Sequence, residues 1–308
     1  MRGKTFDPGG RLTPSASRLT MFLQCGKFRL SLERPLVMGV VNVTPDSFSD
    51  GGLYADTGRA VAHARRLIEE GADILDIGGE STRPGAAPVT LEEERRRVLP
   101  VLEALVADGV PVSVDTRKPG LMREAIAAGA AMINDVTALS GPGALEAVAQ
   151  APVAVCLMHM QGDPGTMQTN PTYRDVVREV RNFLARRVAA AETAGIARNR
   201  IVVDPGFGFG KTAEHNLALL RSLGELKSLG GALLAGLSRK AVLGKLTGRE
   251  PQERVHASVA AALLAVQNGA QIVRVHDVAA TRDALTIWNA VKNPEFTARR
   301  ARRNKGGN

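Results

Sequence analysis

The chain has only two cysteines, Cys25 and Cys156, far apart in its 308 residues. That excludes a disulfide framework and any cysteine-based zinc site, and it fits a reduced, cytoplasmic protein. Aromatic residues make up only 4% of the chain, with a single tryptophan. A core built from Ala, Val, Leu and Gly suits closely packed helices and parallel strands. No apolar stretch is long enough to span a membrane, and Thr5–Thr20 lacks the apolar run of a secretory leader. Acidic residues are outnumbered, 31 to 40, so the net charge is +9. The excess sits at the ends: residues 1–34 and residues 296–308 each carry +5, leaving 35–295 near −1. Basic tails on a near-neutral body argue for solvated ends rather than a nucleic-acid surface. We therefore expect a disordered extension at 1–20, one folded domain at 21–292 and a disordered basic tail at 293–308.

What the sequence does have is alternation. Phe22–Cys25 and Phe28–Leu32 flank Gly26-Lys27 and read as a hairpin. After it come short apolar runs: Leu36–Val41, Ile74–Ile77, Val112–Val114, Ala131–Ile133, Val153–Met158, Ile201–Val203, Ala232–Leu237 and Ile272–Val275. Helical spacing separates them: Thr57–Glu70, Leu91–Ala107, Pro119–Ala128, Gly143–Ala149, Arg174–Ala194, Ala213–Leu223, Pro251–Asn268 and Ala279–Val291. Thr90 and Glu93 form a candidate capping box, and glycines at 71, 109, 129, 195 and 269 stop helices. Strands separated by helices give a parallel sheet, and eight such units in roughly 250 residues give a (β/α)8 TIM barrel. A doubly wound open sheet is the alternative.

Polar residues sort to one end of these runs. Asn42, Asp76, Asp115, Asn134, His159, Asp204, Lys240, Arg274 and His276 lie at or near the C-terminal ends of strands. In a barrel those ends share the face that carries active sites. Acids and an amide converging from several strands suit a flat ligand rich in N–H donors, such as an aminopyrimidine. An unpaired buried carboxylate is costly, so each needs a ligand donor or a basic partner such as Lys240 or Arg274. Asn42 is either a turn residue or a neutral oxygen ligand for a hard cation such as Mg2+. The segment after it, 43–52, reads as a long polar loop, as does Ser81-Thr82-Arg83-Pro84-Gly85. Asp204-Pro-Gly-Phe-Gly-Phe-Gly-Lys211 is not a phosphate-binding P-loop, because Pro205 stands where the first glycine is required. Its glycines suggest close backbone approach to a flat ligand.

The segments Met38–Gly52, Asp76–Gly85, Ser113–Thr116, Ile133–Asp135, Met158–Gly162, Asp204–Lys211, Gly236–Lys240 and Arg274–Asp277 resemble, in this order, those of the dihydropteroate synthase family. The resemblance covers roughly residues 22–291. It implies a transferase of folate biosynthesis. The reaction joins 6-hydroxymethyl-7,8-dihydropterin pyrophosphate to p-aminobenzoate, giving 7,8-dihydropteroate and pyrophosphate by an SN1-like route. It also implies that Asp76, Asp115, Asn134, Asp204 and Lys240 hold the pterin. Asn42, through Mg2+, with Arg83, Arg274 and His276, would hold the pyrophosphate. Phe48, Thr82, Pro84, Phe209 and Ser238 would border p-aminobenzoate. Asp76, Asp115, Asp204, Lys240 and Arg274 would carry catalysis. Arg117 departs from the smaller residue common in the family. A homodimer through the last helices and sensitivity to sulfonamides follow as expectations, with no membrane partner. A folate-dependent methyltransferase, a non-catalytic pterin-binding paralogue and a nucleic-acid binder acting through the tails are the competing readings.

Overall fold

In a computed structural model, residues 21–43, 52–81, 85–229 and 231–292 are described. The expected tails at 1–20 and 293–308 lie outside them, as do Phe48, Thr82, Arg83 and Pro84. Strands β1 (Phe22–Cys25) and β2 (Phe28–Ser31) form the hairpin. Then follow β3 (Leu36–Asn42), α1 (Gly52–Glu69), β4 (Ile74–Gly78), α2 (Leu91–Leu105), β5 (Val112–Asp115), α3 (Pro119–Ala127) and β6 (Met132–Asp135). The rest of the chain supplies α4 (Ala144–Ala149), β7 (Ala154–Met158), α5 (Val176–Thr193), β8 (Ile201–Asp204), α6 (Ala213–Arg221) and β9 (Ala232–Ala235). It closes with α7 (Ala241–Thr247), α8 (Val255–Gln267), β10 (Ile272–Val275) and α9 (Val278–Lys292). Strands β3 to β10 form a closed parallel barrel in sequence order, β10 pairing with β3. Closure rules out the open doubly wound sheet.

The period-2 geometry of each strand divides its side chains between two cores. Val37, Val41, Leu75, Ile77, Val114, Ile133, Val155, Leu157, Val203 and Leu233 face the helices. Leu36, Met38, Ile74, Met132, Ala154, Cys156, Val202, Leu234 and Ile272 fill the barrel interior, where Leu23 and Cys25 of the hairpin join them. Cys25 and Cys156 are both buried and free.

Three expectations need correction. Helix α1 begins at Gly52, five residues before Thr57, so it takes up the last residue of the 43–52 stretch that reads as loop. Helix α7 is an addition to the expected elements; its seven residues are too short for a clear 3.6-residue period. Only half of the capping box forms. The Thr90 hydroxyl accepts the Glu93 N–H at 3.2 Å, but the Glu93 carboxylate turns to Arg96 and Arg97 instead.

Candidate active site

The inward faces of β3, β6, β8 and β10 are apolar at the bottom and change character at their last inward position. On β3, Leu36, Met38 and Val40 lead to Asn42; on β6, Met132 leads to Asn134; on β8, Val202 leads to Asp204; on β10, Ile272 leads to Arg274. Asp76 on β4 stands level with Ser113 on β5, and Asp115 stands level with Asn134. One strand parity therefore delivers Asn42, Asp76, Asp115, Asn134, Asp204 and Arg274 to the same mouth.

Arg274 binds this ring together. Its Nε donates to Asp76 Oδ2 at 2.6 Å and its Nη2 to Asp115 Oδ2 at 3.1 Å. Asn134 Nδ2 donates to the same Asp76 oxygen at 3.1 Å. Asp76 Oδ1 is buried and has no partner among the described residues. One guanidinium thus serves two carboxylates. Burial, reinforced by Asp76, pushes Asp115 up to about 8 against the pull of Arg274. Burial acts to lower Arg274, but Asp76 and Asp115 raise it more, so it stays charged. The pocket has an excess of acceptors, which suits a ligand that brings N–H donors or positive charge.

Asp204 accepts the Gly206 N–H at 2.7 Å; burial raises its pKa, opposed by Lys240. Lys240 donates to the Phe207 carbonyl and sits 4.5 Å from the centre of the Phe209 ring. Burial lowers Lys240 to about 8. Ser238 Oγ accepts the His276 N–H at 3.2 Å and lies 3.0 Å from His276 Nδ1, joining the mouths of β9 and β10. The Asn42 carboxamide has no hydrogen-bond partner among the described residues.

The Gly-Phe-Gly-Phe-Gly loop makes close approaches within the protein itself. A Cβ on Gly206 would lie 1.9 Å from the His159 carbonyl, and one on Gly210 would lie 2.4 Å from the Gln161 carbonyl. Both residues have positive φ. These two glycines let the loop fold against the preceding βα loop. Lys211, left without a role in the sequence, ties this contact. Its Nζ donates to the carbonyls of Gly206 and Phe209, both at 2.9 Å, and meets His159 Nδ1 at 3.0 Å. Burial, then Lys211, holds His159 down at about 3, so the imidazole is neutral and accepts.

Sequence reasoning also misses a buried charge network behind the β4–α2 loop. Lys118 Nζ donates to Glu80 Oε2 and Glu94 Oε2, each at 2.5 Å, and Arg117 pairs with Glu80 at 3.2 Å. Glu94 is fully buried, and its Oε1 has no partner among the described residues. The signal is present: Glu94, Val98, Val101, Leu102 and Leu105 share one helical stripe, which places Glu94 on the inner face of α2. Arg117 thus has a partner on the protein and does not project freely into the mouth. Lys118→Met strands the buried carboxylates; urea unfolding should show a loss of about 1–3 kcal/mol, whereas Lys118→Arg should lose less.

The chain matches the model of a pterin binding enzyme over residues 38–276. It is 56% identical over 275 residues to a dihydropteroate synthase of Neisseria meningitidis, covering 87% of this chain and 96% of that one. It superposes on a dihydropteroate synthase of Xanthomonas albilineans with 4-aminobenzoic acid, with a TM-score of 0.84 and 60% identity. That match covers 89% of this chain and 99% of the other. A Burkholderia cenocepacia dihydropteroate synthase complexed with 7,8-dihydropteroate gives a TM-score of 0.82 at 53% identity, covering 90% of this chain and 99% of the other.

Proposed function

The chain belongs to the pterin-binding enzyme family, and from that membership and the site geometry we infer how the barrel mouth works. The reaction is that of a dihydropteroate synthase: 6-hydroxymethyl-7,8-dihydropterin pyrophosphate and p-aminobenzoate give 7,8-dihydropteroate and pyrophosphate, a transferase step of folate biosynthesis. The observation that supports it most is the acceptor-rich ring of Asp76, Asp115, Asn134 and Asp204 around one guanidinium. A dihydropterin ring presents a matching row of N–H donors.

Asp115, Asn134 and Asp204 take the pterin edge, with Asp76 beneath them and Lys240 donating from the opposite side. Loss of pyrophosphate leaves a cationic pterin methylene. The C–O bond breaks, its electron pair leaves with pyrophosphate, and the arylamine nitrogen forms the C–N bond and sheds a proton. Fixed carboxylates stabilise the cation where it develops, and this preorganisation removes the need for a side-chain nucleophile. His276 faces the departing pyrophosphate. Arg274 is engaged by Asp76 and Asp115, so its part in holding pyrophosphate requires sharing the guanidinium. Phe209 and Ser238 border the arylamine. Phe48, Thr82, Arg83 and Pro84 keep their expected roles as proposals from family resemblance.

Mg2+ suits the Asn42 carboxamide, a neutral oxygen donor at the end of β3. Among the described residues no cluster of acids, histidines or cysteines could hold a metal alone. The Asn42 oxygen would supply one ligand, with water and pyrophosphate oxygens completing the shell. Bound there, Mg2+ supplies neutralising charge to the pyrophosphate. Omitting it should weaken binding of the pterin pyrophosphate measured by calorimetry, and Asn42→Ala should lose most of that dependence.

The test of function is product formation. Purified protein with both substrates and Mg2+ should give dihydropteroate by mass; omission of either substrate should give none. Tight pterin binding without product would favour the methyltransferase or paralogue reading. A sulfonamide, as a p-aminobenzoate mimic, should compete with p-aminobenzoate alone. Raising the pH through about 8 removes the Lys240 proton. The specificity constant for the pterin substrate should therefore fall above that pH, and Lys240→Arg should flatten the fall. We also propose a cytoplasmic homodimer. Leu264 on α8 and Ile287 and Val291 on α9 are exposed apolar residues on adjacent helices.

A further inference from the structure

The turn after β9 holds Arg239 at φ +58, one of the few described residues other than glycine in the left-handed region. Glycine is the residue such a backbone favours. The chain instead carries an arginine whose side chain is used. Arg239 Nε donates to Asp277 Oδ2 at 3.1 Å and Nη2 donates to Asp277 Oδ1 at 2.5 Å, a two-pronged ion pair. The backbone on either side is also fixed. The Arg239 N–H donates to Ser258 Oγ of α8 at 2.9 Å, and its carbonyl accepts from Arg254 Nη1 at 2.9 Å. Gly244 of α7 makes room for that second arginine, since a Cβ there would lie 2.2 Å from Arg254 Nη2. Asp277 is equally placed: its carbonyl accepts the Thr281 N–H at 3.1 Å and the Thr281 hydroxyl at 2.8 Å, where α9 begins.

The sequence neighbours of this pair are the site residues. Ser238 and Lys240 flank Arg239, and His276 precedes Asp277. Without the ion pair, the loops after β9 and β10 are joined at the mouth by the Ser238–His276 contacts. We propose that Arg239 and Asp277 form a positioning clamp that locks the two loops in register, so that Lys240 and His276 address opposite ends of the pterin pyrophosphate at once. Neither clamp residue touches substrate. The clamp rests on the reading of Lys240 and His276 given above.

The pair makes a distinctive set of variants. Arg239→Gly removes the side chain but suits the backbone, so the barrel should melt near the wild-type temperature. Its KM for the pterin pyrophosphate should nevertheless rise about tenfold, the scale of a small misplacement of binding groups. Asp277→Asn should do the same. The double variant should be no worse than either single one, because both break one coupling. The KM for p-aminobenzoate should stay within about twofold, a contrast that general loosening would not give. Inorganic pyrophosphate titrated calorimetrically into each full-length protein gives a readout without turnover; its dissociation constant should rise in parallel. Unchanged affinity for both the pterin substrate and pyrophosphate overturns the clamp, as does an equal rise in both substrate KM values. A wild-type protein that forms no dihydropteroate overturns the functional reading. Weakened pyrophosphate binding in the variants would still uphold the clamp in that case.

Discussion

Arg274→Met should cost about 3–5 kcal/mol of barrel stability and abolish dihydropteroate formation, because it removes one partner of a buried ionic cluster. Its guanidinium is the shared donor to Asp76, which is fully buried, and to Asp115. Without it, two neighbouring carboxylates face each other beneath the pocket. The deficit should depend on pH with a definite sign. Asp115 already has a folded-state pKa raised to about 8 by burial and Asp76, and losing Arg274 raises it further. A carboxyl with a raised folded pKa binds more protons folded than unfolded, so its penalty grows as pH rises from the unfolded carboxyl range toward the folded value. Both proteins share that penalty while Asp115 is protonated in each. The gap between variant and wild type in urea unfolding should therefore widen as pH rises through about 8, and be larger at pH 9 than at pH 6. A gap independent of pH would mean the carboxylates find another partner.

Lys240→Ala should lower the specificity constant for the pterin substrate by roughly 10²–10³-fold, the scale for deleting one fixed charged donor from a preorganised site. The fold should survive. Lys240 lies at the start of α7 and makes no side-chain cap there; its ammonium group meets the Phe207 carbonyl and the Phe209 ring. Removing it relieves the burial of an ammonium group while withdrawing the charge that offsets burial of Asp204, and the two effects oppose each other. Denaturation should thus change by about 1 kcal/mol or less, the net worth of a typical hydrogen bond. If activity and stability fall together, Lys240 is a structural lysine and the donor side of the pocket must be reassigned.

Much of this arrangement is legible in the order of the residues. Short apolar runs ending in Asn42, Asp115, Asn134 and Asp204 mark both the barrel and its working face, because strand parity turns sequence spacing into direction. Partners are harder to read. Family resemblance assigns Arg274 to pyrophosphate, but nothing local shows that its side chain crosses to Asp76 on β4, 198 residues away. The glycines at 206 and 210 point to close approach, yet the approaching groups are the carbonyls of the preceding βα loop. Glu94 hides in an acidic first turn that resembles a solvated helix end, although its spacing to Val98 and Leu102 marks it as buried. Lys118 and Arg239 act through carboxylates distant in sequence, which periodicity does not detect. Short α7 offers too few residues to show a period.

We place the pterin on the acid ring at the barrel mouth. Calorimetric titration of the dihydropterin pyrophosphate, with Mg2+, into wild type and Asp204→Asn tests it directly. Asp204 is buried, and its Oδ1 is already occupied by the Gly206 N–H. An amide there can keep that contact and lose the charge and one acceptor facing the ring. Affinity should be weaker by about 10- to 100-fold in the variant, the scale of a charged hydrogen bond, with unchanged unfolding. Equal affinity in a folded Asp204→Asn protein would place the pterin elsewhere.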